Sequence, residues 1–216
     1  MKGNLYIFTA IIIAGLIVGG AVLLRQSPEE KIPSSPASLI APGNEDGYPV
    51  LGNPKAGVAM TVFSDFQCHF CKTFSQTIEP AIIEKYVKTG KVKIIFRDFA
   101  FLGEESNWAA EAAHCADEQG KYFDYVEKLH SVQKGHDASA FNRELLKNFG
   151  RDLGLDTSRF NECFDSRRYS QAVKDSFEEG VKMGVKGTPT VFVNNQIIDG
   201  VQPLNVYEEA IERELK

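Results

Sequence analysis

An α/β domain is what this 216-residue sequence predicts: a central mixed sheet flanked by helices and interrupted by an all-helical insertion. Three observations carry that reading. A short apolar strand pattern, a helix and a second strand open the domain. A continuous helical stretch fills its middle, and a hairpin followed by a helix closes it.

Residues 1–25 stand apart. Residues 5–24 form an uncharged, mostly apolar run between Lys2 and Arg25, long enough at ~1.5 Å per residue to cross a hydrocarbon core of ~30 Å. A membrane anchor is expected, the alternative being a cleaved signal peptide with Gly19-Gly20-Ala21 as its small-residue site. Residues 26–47 are polar and carry Pro28, Pro33, Pro36 and Pro42, which reads as a stiffened tether. The folded domain is expected to fill residues 48–216, with the insertion at about 104–184. The flanking charges are too balanced to set orientation, so export of the domain is inferred from its cysteine chemistry.

Within the domain, residues 57–63 are an apolar run suited to a buried strand. Phe70, Phe74, Ile78 and Ile82 then recur at four-residue steps and predict a helix to about residue 88, kinked by Pro80. Thr89-Gly90 ends it, and residues 91–99 predict a second strand, so the opening is a β–α–β crossover. In the insertion, Ser106 is expected to cap a helix burying Trp108, Ala112 and Cys115, and Gly120 to end it. Tyr122, Val126 and Leu129 line a second helix. Phe141, Leu145, Leu146 and Phe149 line a third, capped by Ser139. Asp156 caps a fourth bearing Phe160, Cys163 and Phe164. Tyr169, Val173, Phe177 and Val181 mark a fifth, stopped at Gly184. Residues 190–193, the Asn194-Asn195 turn and residues 196–198 predict a hairpin, and Pro203 opens a last helix to about residue 215.

The formal net charge of −5, with no dense basic cluster, argues against nucleic-acid binding. The four cysteines are informative by position. Cys68 and Cys71 are close and read as reactive, whereas Cys115 and Cys163 are far apart and read as a staple between two helices, the alternative being two separate buried thiols.

Cys68-His69-Phe70-Cys71 falls at the turn from strand to helix. Half of a zinc site is the competing reading. It would need two further ligands, and His114 and Cys115, adjacent on a helix, point in different directions. A redox pair has the stronger case. Cys68 at a helix N-terminus meets free amides and the positive end of the helix dipole, which favour its thiolate. Cys71, one turn in, is expected to be the shielded, resolving thiol. A protonated His69 would favour the thiolate further, the alternative being an exposed residue without a role. Farther on, Gly187-Thr188-Pro189-Thr190 precedes a strand, where a cis bond at Pro189 would account for a residue unable to donate to the ladder.

Together, Phe63-Ser64-Asp65-Phe66-Gln67-Cys68-His69-Phe70-Cys71, the helical block and Gly187-Thr188-Pro189-Thr190-Val191-Phe192-Val193 resemble the DsbA-like branch of the thioredoxin superfamily, over about residues 50–216. The resemblance implies a thioredoxin-like fold and a proline loop at Thr188 and Pro189 packed against the cysteines, where substrate backbone adds as a strand. It also implies cysteine-containing extracytoplasmic substrates, a membrane quinone-coupled partner, and no cofactor. Three departures stand out. His69-Phe70 matches neither the Gly-Pro of reducing thioredoxins nor the Pro-His of strongly oxidising members. Val62 holds the place where many thioredoxins bury an acid, which leaves Asp65, Glu84 or water as proton acceptor. Cys115 and Cys163 have no counterpart in the simplest members, although some relatives carry a second disulfide in the helical domain. Disulfide formation is the leading function. A reductase or isomerase, and a redox-inactive peptide-binding module on the same fold, remain alternatives.

Overall fold

The computed structural model describes residues 47–133 and 141–216. The anchor or signal expected at 1–25, the tether up to residue 46 and the cap expected at Ser139 lie outside those residues. Among the described residues, no helix is long and apolar enough to cross a membrane.

In chain order the elements are β1 Val50–Leu51, β2 Val58–Ser64, α1 His69–Thr77, α2 Glu79–Ile82 continued by a π-helical turn Ile83–Val87, and β3 Val92–Asp98. The helical block follows as α3 Glu104–Asp117, α4 Tyr122–Val132, α5 Arg143–Asp152, α6 Thr157–Asp165 and α7 Ser170–Lys182. Strands β4 Thr190–Val193 and β5 Gln196–Asp199 and helix α8 Leu204–Glu214 close the domain.

The strands form one mixed sheet in the order β1-β3-β2-β4-β5. β2 and β3 run parallel, with Met60 opposite Ile94 and Val62 opposite Phe96. β4 is antiparallel to β2, β5 to β4, and β1 to β3. The parallel pair with α1 and α2 as crossover is the expected β–α–β unit. The hairpin turns where Asn194 takes a φ of 49°, a left-handed conformation that asparagine tolerates well. The two-residue strand β1 was not foreseen, being too short to show any periodicity.

Pro80 has no N–H to continue the ladder of α1. The chain breaks at Ile78, restarts with Pro80 in the first turn of α2, and leaves through the π turn. Several expected helix boundaries shift. Helix α3 begins at Glu104 behind Gly103, so Ser106 lies inside it, fully buried, and is no cap. Helix α5 is capped by Asn142, whose Oδ1 accepts the Leu145 N–H at 2.8 Å. Phe141 before that cap and Leu146 after it are both buried in the helical core, the arrangement of a hydrophobic staple. Asp156 caps α6 as expected, accepting from the amides of Ser158 and Arg159. Trp108 is only partly buried, Val181 is exposed, and Pro203 occupies the cap of α8 instead of its first turn.

The sheet core is made by Met60, Val62, Ile94, Val191 and Val193 against Ile82, Tyr207 and Ile211. A second core, with Tyr125, Leu129, Leu146, Phe160 and Phe164 at its centre, belongs to the helical block. Phe96 and Phe123 pack against both. The blocks are also joined by His114 of α3, whose Nε2 lies 2.7 Å from Asp98 Oδ2 while its ring stacks on Tyr169 at 5.1 Å. Within the helical block, Cys115 and Cys163 form a disulfide that links α3 to α6 with a Cα–Cα distance of 5.9 Å.

Gly180 of α7 presses on a third, aromatic cluster. A Cβ there would stand 2.8 Å from Phe99 Cδ2 and 3.0 Å from Phe63 Cε1. Both rings are buried and have no free end to swing aside. Gly180→Ala is therefore expected to destabilise the domain by about 1–3 kcal/mol of overpacking, despite alanine's better helix propensity. Urea denaturation checks this, and a variant as stable as the parent contradicts it.

Candidate active site

Cys68 is the N-cap residue of α1, with φ −75° and ψ 118°. That position aims its side chain at the amides of the first helical turn. In the dithiol state its Sγ donates to the Thr188 carbonyl at 3.3 Å. The thiol is held down to about 6, foremost by hydrogen bonding from Cys71, and further by Thr188 and the amides of Cys71 and Phe70, against the opposing effect of burial. The sulfur is thus poised to act as a charged helix cap once deprotonated. Cys71 moves the other way. Burial, then the neighbouring Cys68 sulfur, push its thiol well above the usual range.

The expected contrast in exposure is not what the structure shows. Cys68 and Cys71 are both buried, at 4% and 2% relative accessibility, with the Thr188 carbonyl against the first sulfur. The distinction between them is electrostatic. The Thr188–Pro189 peptide is cis. The Thr188 hydroxyl is enclosed beside both sulfurs, where it favours thiolate over thiol. His69 is exposed and meets the Phe70 ring edge-on at 5.9 Å. Its imidazole is not among the causes of the Cys68 shift, which is led by the Cys71 side chain, with Thr188 and the amides of Cys71 and Phe70 adding to it.

The acids offered as proton acceptors are otherwise engaged. Asp65 is buried, and its oxygens accept from the Gln67 amide at 2.8 Å, the Phe101 and Leu102 amides at 2.9 and 3.0 Å and the Ser106 hydroxyl at 2.6 Å. It braces the active-site turn against the start of α3. Glu84 is exposed and paired with Lys88.

Two positioning residues escaped sequence reasoning. Gln133, just past α4, donates through Nε2 to the carbonyls of Phe66 at 2.5 Å and Cys68 at 3.0 Å. Its own carbonyl accepts from Lys72 Nζ at 2.9 Å, closing a link back to α1. Gln67 reaches Ser106 Oγ at 2.9 Å. Both are polar residues at element edges, where sequence patterns carry no signal for burial.

Comparison with known proteins agrees with this geometry. The thioredoxin family model matches residues 44–213. Disulfide bond formation protein D of Bacillus subtilis is 29% identical over 173 residues, covering 79% of this chain and 78% of that protein. The oxidised crystal structure of BdbD from Bacillus subtilis superposes with a TM-score of 0.71 at 27% identity, covering 82% of this chain and 97% of that one. The thiol-disulfide exchange protein alpha-DsbA2 of Wolbachia pipientis gives a TM-score of 0.67 at 26% identity, with coverages of 78% and 88%. A dithiol at a helix mouth under a cis-proline loop, on a sheet interrupted by a helical block, thus coincides with a family match across most of the chain: this protein belongs to the thioredoxin family, as a DsbA-like thiol–disulfide oxidoreductase.

Proposed function

We propose that the protein is an exported, membrane-tethered oxidase that introduces disulfides into cysteine-containing extracytoplasmic proteins and is recharged by a membrane quinone-coupled thiol oxidoreductase. The observation that carries the direction of the reaction is the Cys68 thiol held near 6. Stabilising the thiolate stabilises the reduced protein, and so makes its disulfide a stronger oxidant. The name of the Bacillus subtilis relative, disulfide bond formation protein D, supports the same direction. The apolar run at 5–24 supports the tether.

In the proposed reaction a substrate thiolate attacks Cys68 Sγ of the oxidised pair. The Cys68–Cys71 bond breaks, and Cys71 leaves with the electron pair. A second substrate thiolate then attacks the substrate sulfur of the mixed disulfide, releasing Cys68 as a thiolate that is a good leaving group because its pKa is low. The loop at Thr188 and Pro189, whose Thr188 carbonyl stands against the sulfur, is where extended substrate backbone would pair.

The test is the reduction potential of the Cys68–Cys71 couple. A value nearer the strongly oxidising end, about −120 mV, is expected. One near about −270 mV would overturn the oxidase reading in favour of a reductase.

A further inference from the structure

A cavity of about 40 Å³ borders Cys71, with room for about three or four water molecules at ~10–15 Å³ each. Cys71, Ser75 and Glu79 line it from one side. Ser75 lies one turn beyond Cys71 in α1, and Glu79 opens α2 after the break at Ile78, so the three reach the same space from consecutive turns of the chain. Val62 and Ser64 of β2, Asp98 of β3, and Tyr122 and His130 of α4 close the other side.

Of the charged and titratable groups around this space, most are committed elsewhere. Asp98 is held by His114 at 2.7 Å. Arg97 borders the cavity, but its guanidinium is directed to Ser176 and Glu179. Lys72 is bound to the Gln133 carbonyl. Burial drives the Tyr122 phenol well above its usual range. His130 is pushed down to about 4 by burial and by Lys72, and so is neutral at ordinary pH. Its Nδ1 sits 2.9 Å from Ser75 Oγ, while Nε2 is enclosed with no hydrogen-bond partner among the described residues. An enclosed polar atom bordering a cavity of this size is a seat for water.

Glu79 differs from all of these. It is half-buried, and none of the described residues gives it a hydrogen bond or an ion pair. Desolvation alone lifts its carboxyl to about 8, so at neutral pH it holds a proton that it can lose within the working range.

We propose that Glu79 is the proton donor and acceptor for Cys71, acting through water held in this cavity. The inference rests on Cys71 being the sulfur that leaves and returns. When a substrate thiolate attacks Cys68 and the Cys68–Cys71 bond breaks, the departing Cys71 thiolate takes a proton relayed from Glu79, whose carboxylate is then reprotonated from solvent. In reoxidation Glu79 first releases its proton to solvent, its carboxylate then takes the proton of the Cys71 thiol, and the resulting thiolate attacks the mixed disulfide at Cys68. Val62 lines the same space, so the acid enters from the helix instead of from β2.

The test is single-turnover reduction of the oxidised full chain by a cysteine peptide from pH 6 to 9.5, with rates divided by the thiolate fraction of the peptide. The parent protein is expected to lose rate as pH rises through about 8. Glu79→Gln, an isostere of the protonated acid, is expected to be slower by roughly 10²-fold at pH 7 and to lose that inflection. Its Cys68 thiolate titration should be unchanged. A Glu79→Gln variant with the parent's rate and pH profile overturns the proposal. A measurement on the parent needs no variant: infrared difference spectra should show a protonated carboxyl band that vanishes near pH 8, and its absence at neutral pH also overturns it. If Cys71→Ser traps mixed disulfides while Glu79→Gln changes nothing, only the relay fails. If Cys71→Ser traps none, the reading of Cys71 itself has failed.

Discussion

Cys71→Ser is expected to accumulate covalent adducts between Cys68 and cysteine-containing substrates, while Cys68→Ser forms almost none. Exchange proceeds by thiolate attack through a mixed disulfide, and removal of the resolving sulfur leaves that intermediate with no intramolecular exit. The two thiols differ in the direction required. Cys68 is held near 6, and Cys71 is pushed above the ordinary range. Because the thiolate is the reactive form, alkylation of Cys68 should rise through about pH 6 and be near its plateau at neutral pH, when Cys71 remains almost inert. The same depression bears on stability. Between about pH 6 and the ordinary value of 9.0, the unfolded chain holds a proton on Cys68 that the native thiolate does not. That contribution to the reduced fold therefore grows with rising pH and disappears as pH falls through about 6. Non-reducing gels with mass mapping of the adducts decide the roles, and faster alkylation of Cys71 than of Cys68 at neutral pH would reverse them.

The second large effect concerns the helical block. Replacing Cys115 and Cys163 together by alanine removes a cross-link across a sequence separation of 48. In the chain-entropy account, a loop of that length is worth about 4 kcal/mol, drawn from the unfolded state. Both residues are fully buried in the helical core, so the alanines leave a small void that adds to the loss. Urea denaturation of the oxidised parent and the double variant should show the difference. Thiol exchange at Cys68 should persist in the variant below its unfolding midpoint. Equal midpoints would show that the cross-link does not constrain the unfolded chain.

Much of this fold was readable from hydrophobic spacing. The run at 57–63, the four-residue steps from Phe70 to Ile82 and the paired strands around Asn194 are local patterns, and local patterns found β2, the crossover and the hairpin. The strand–Cys–x–x–Cys–helix order and the Gly-Thr-Pro-Thr loop brought the two halves of the site together across 120 residues of sequence. What failed to show was set by distant partners. Ser106 looks like a cap because serine is good at that task, yet its hydroxyl is taken by Asp65, 41 residues earlier, and α3 starts before it. Asp65 resembled a free acid until the amides of Phe101 and Leu102 were found to claim it. Glu79 reads as a surface acid near a proline. Only its spacing from Cys71 and Ser75 hints otherwise, and that hint becomes legible once the facing helix supplies His130 and Tyr122.

His69 and Phe70 are exposed, whereas Cys68, Cys71, Asp65 and Gln67 on either side of them are buried. The carboxylate brace from Asp65 and the Gln133 contacts reach the turn through residues flanking the dipeptide, and the amides that face the Cys68 sulfur belong to its backbone. The two side chains therefore stand apart from the contacts that hold the turn, and substitution at these positions is expected to leave the Asp65 and Gln133 hydrogen bonds in place. Any substitution here that does shift the Cys68 thiol changes the stability of the reduced fold by the same linkage, so oxidising strength and the advantage of the reduced over the oxidised state move together.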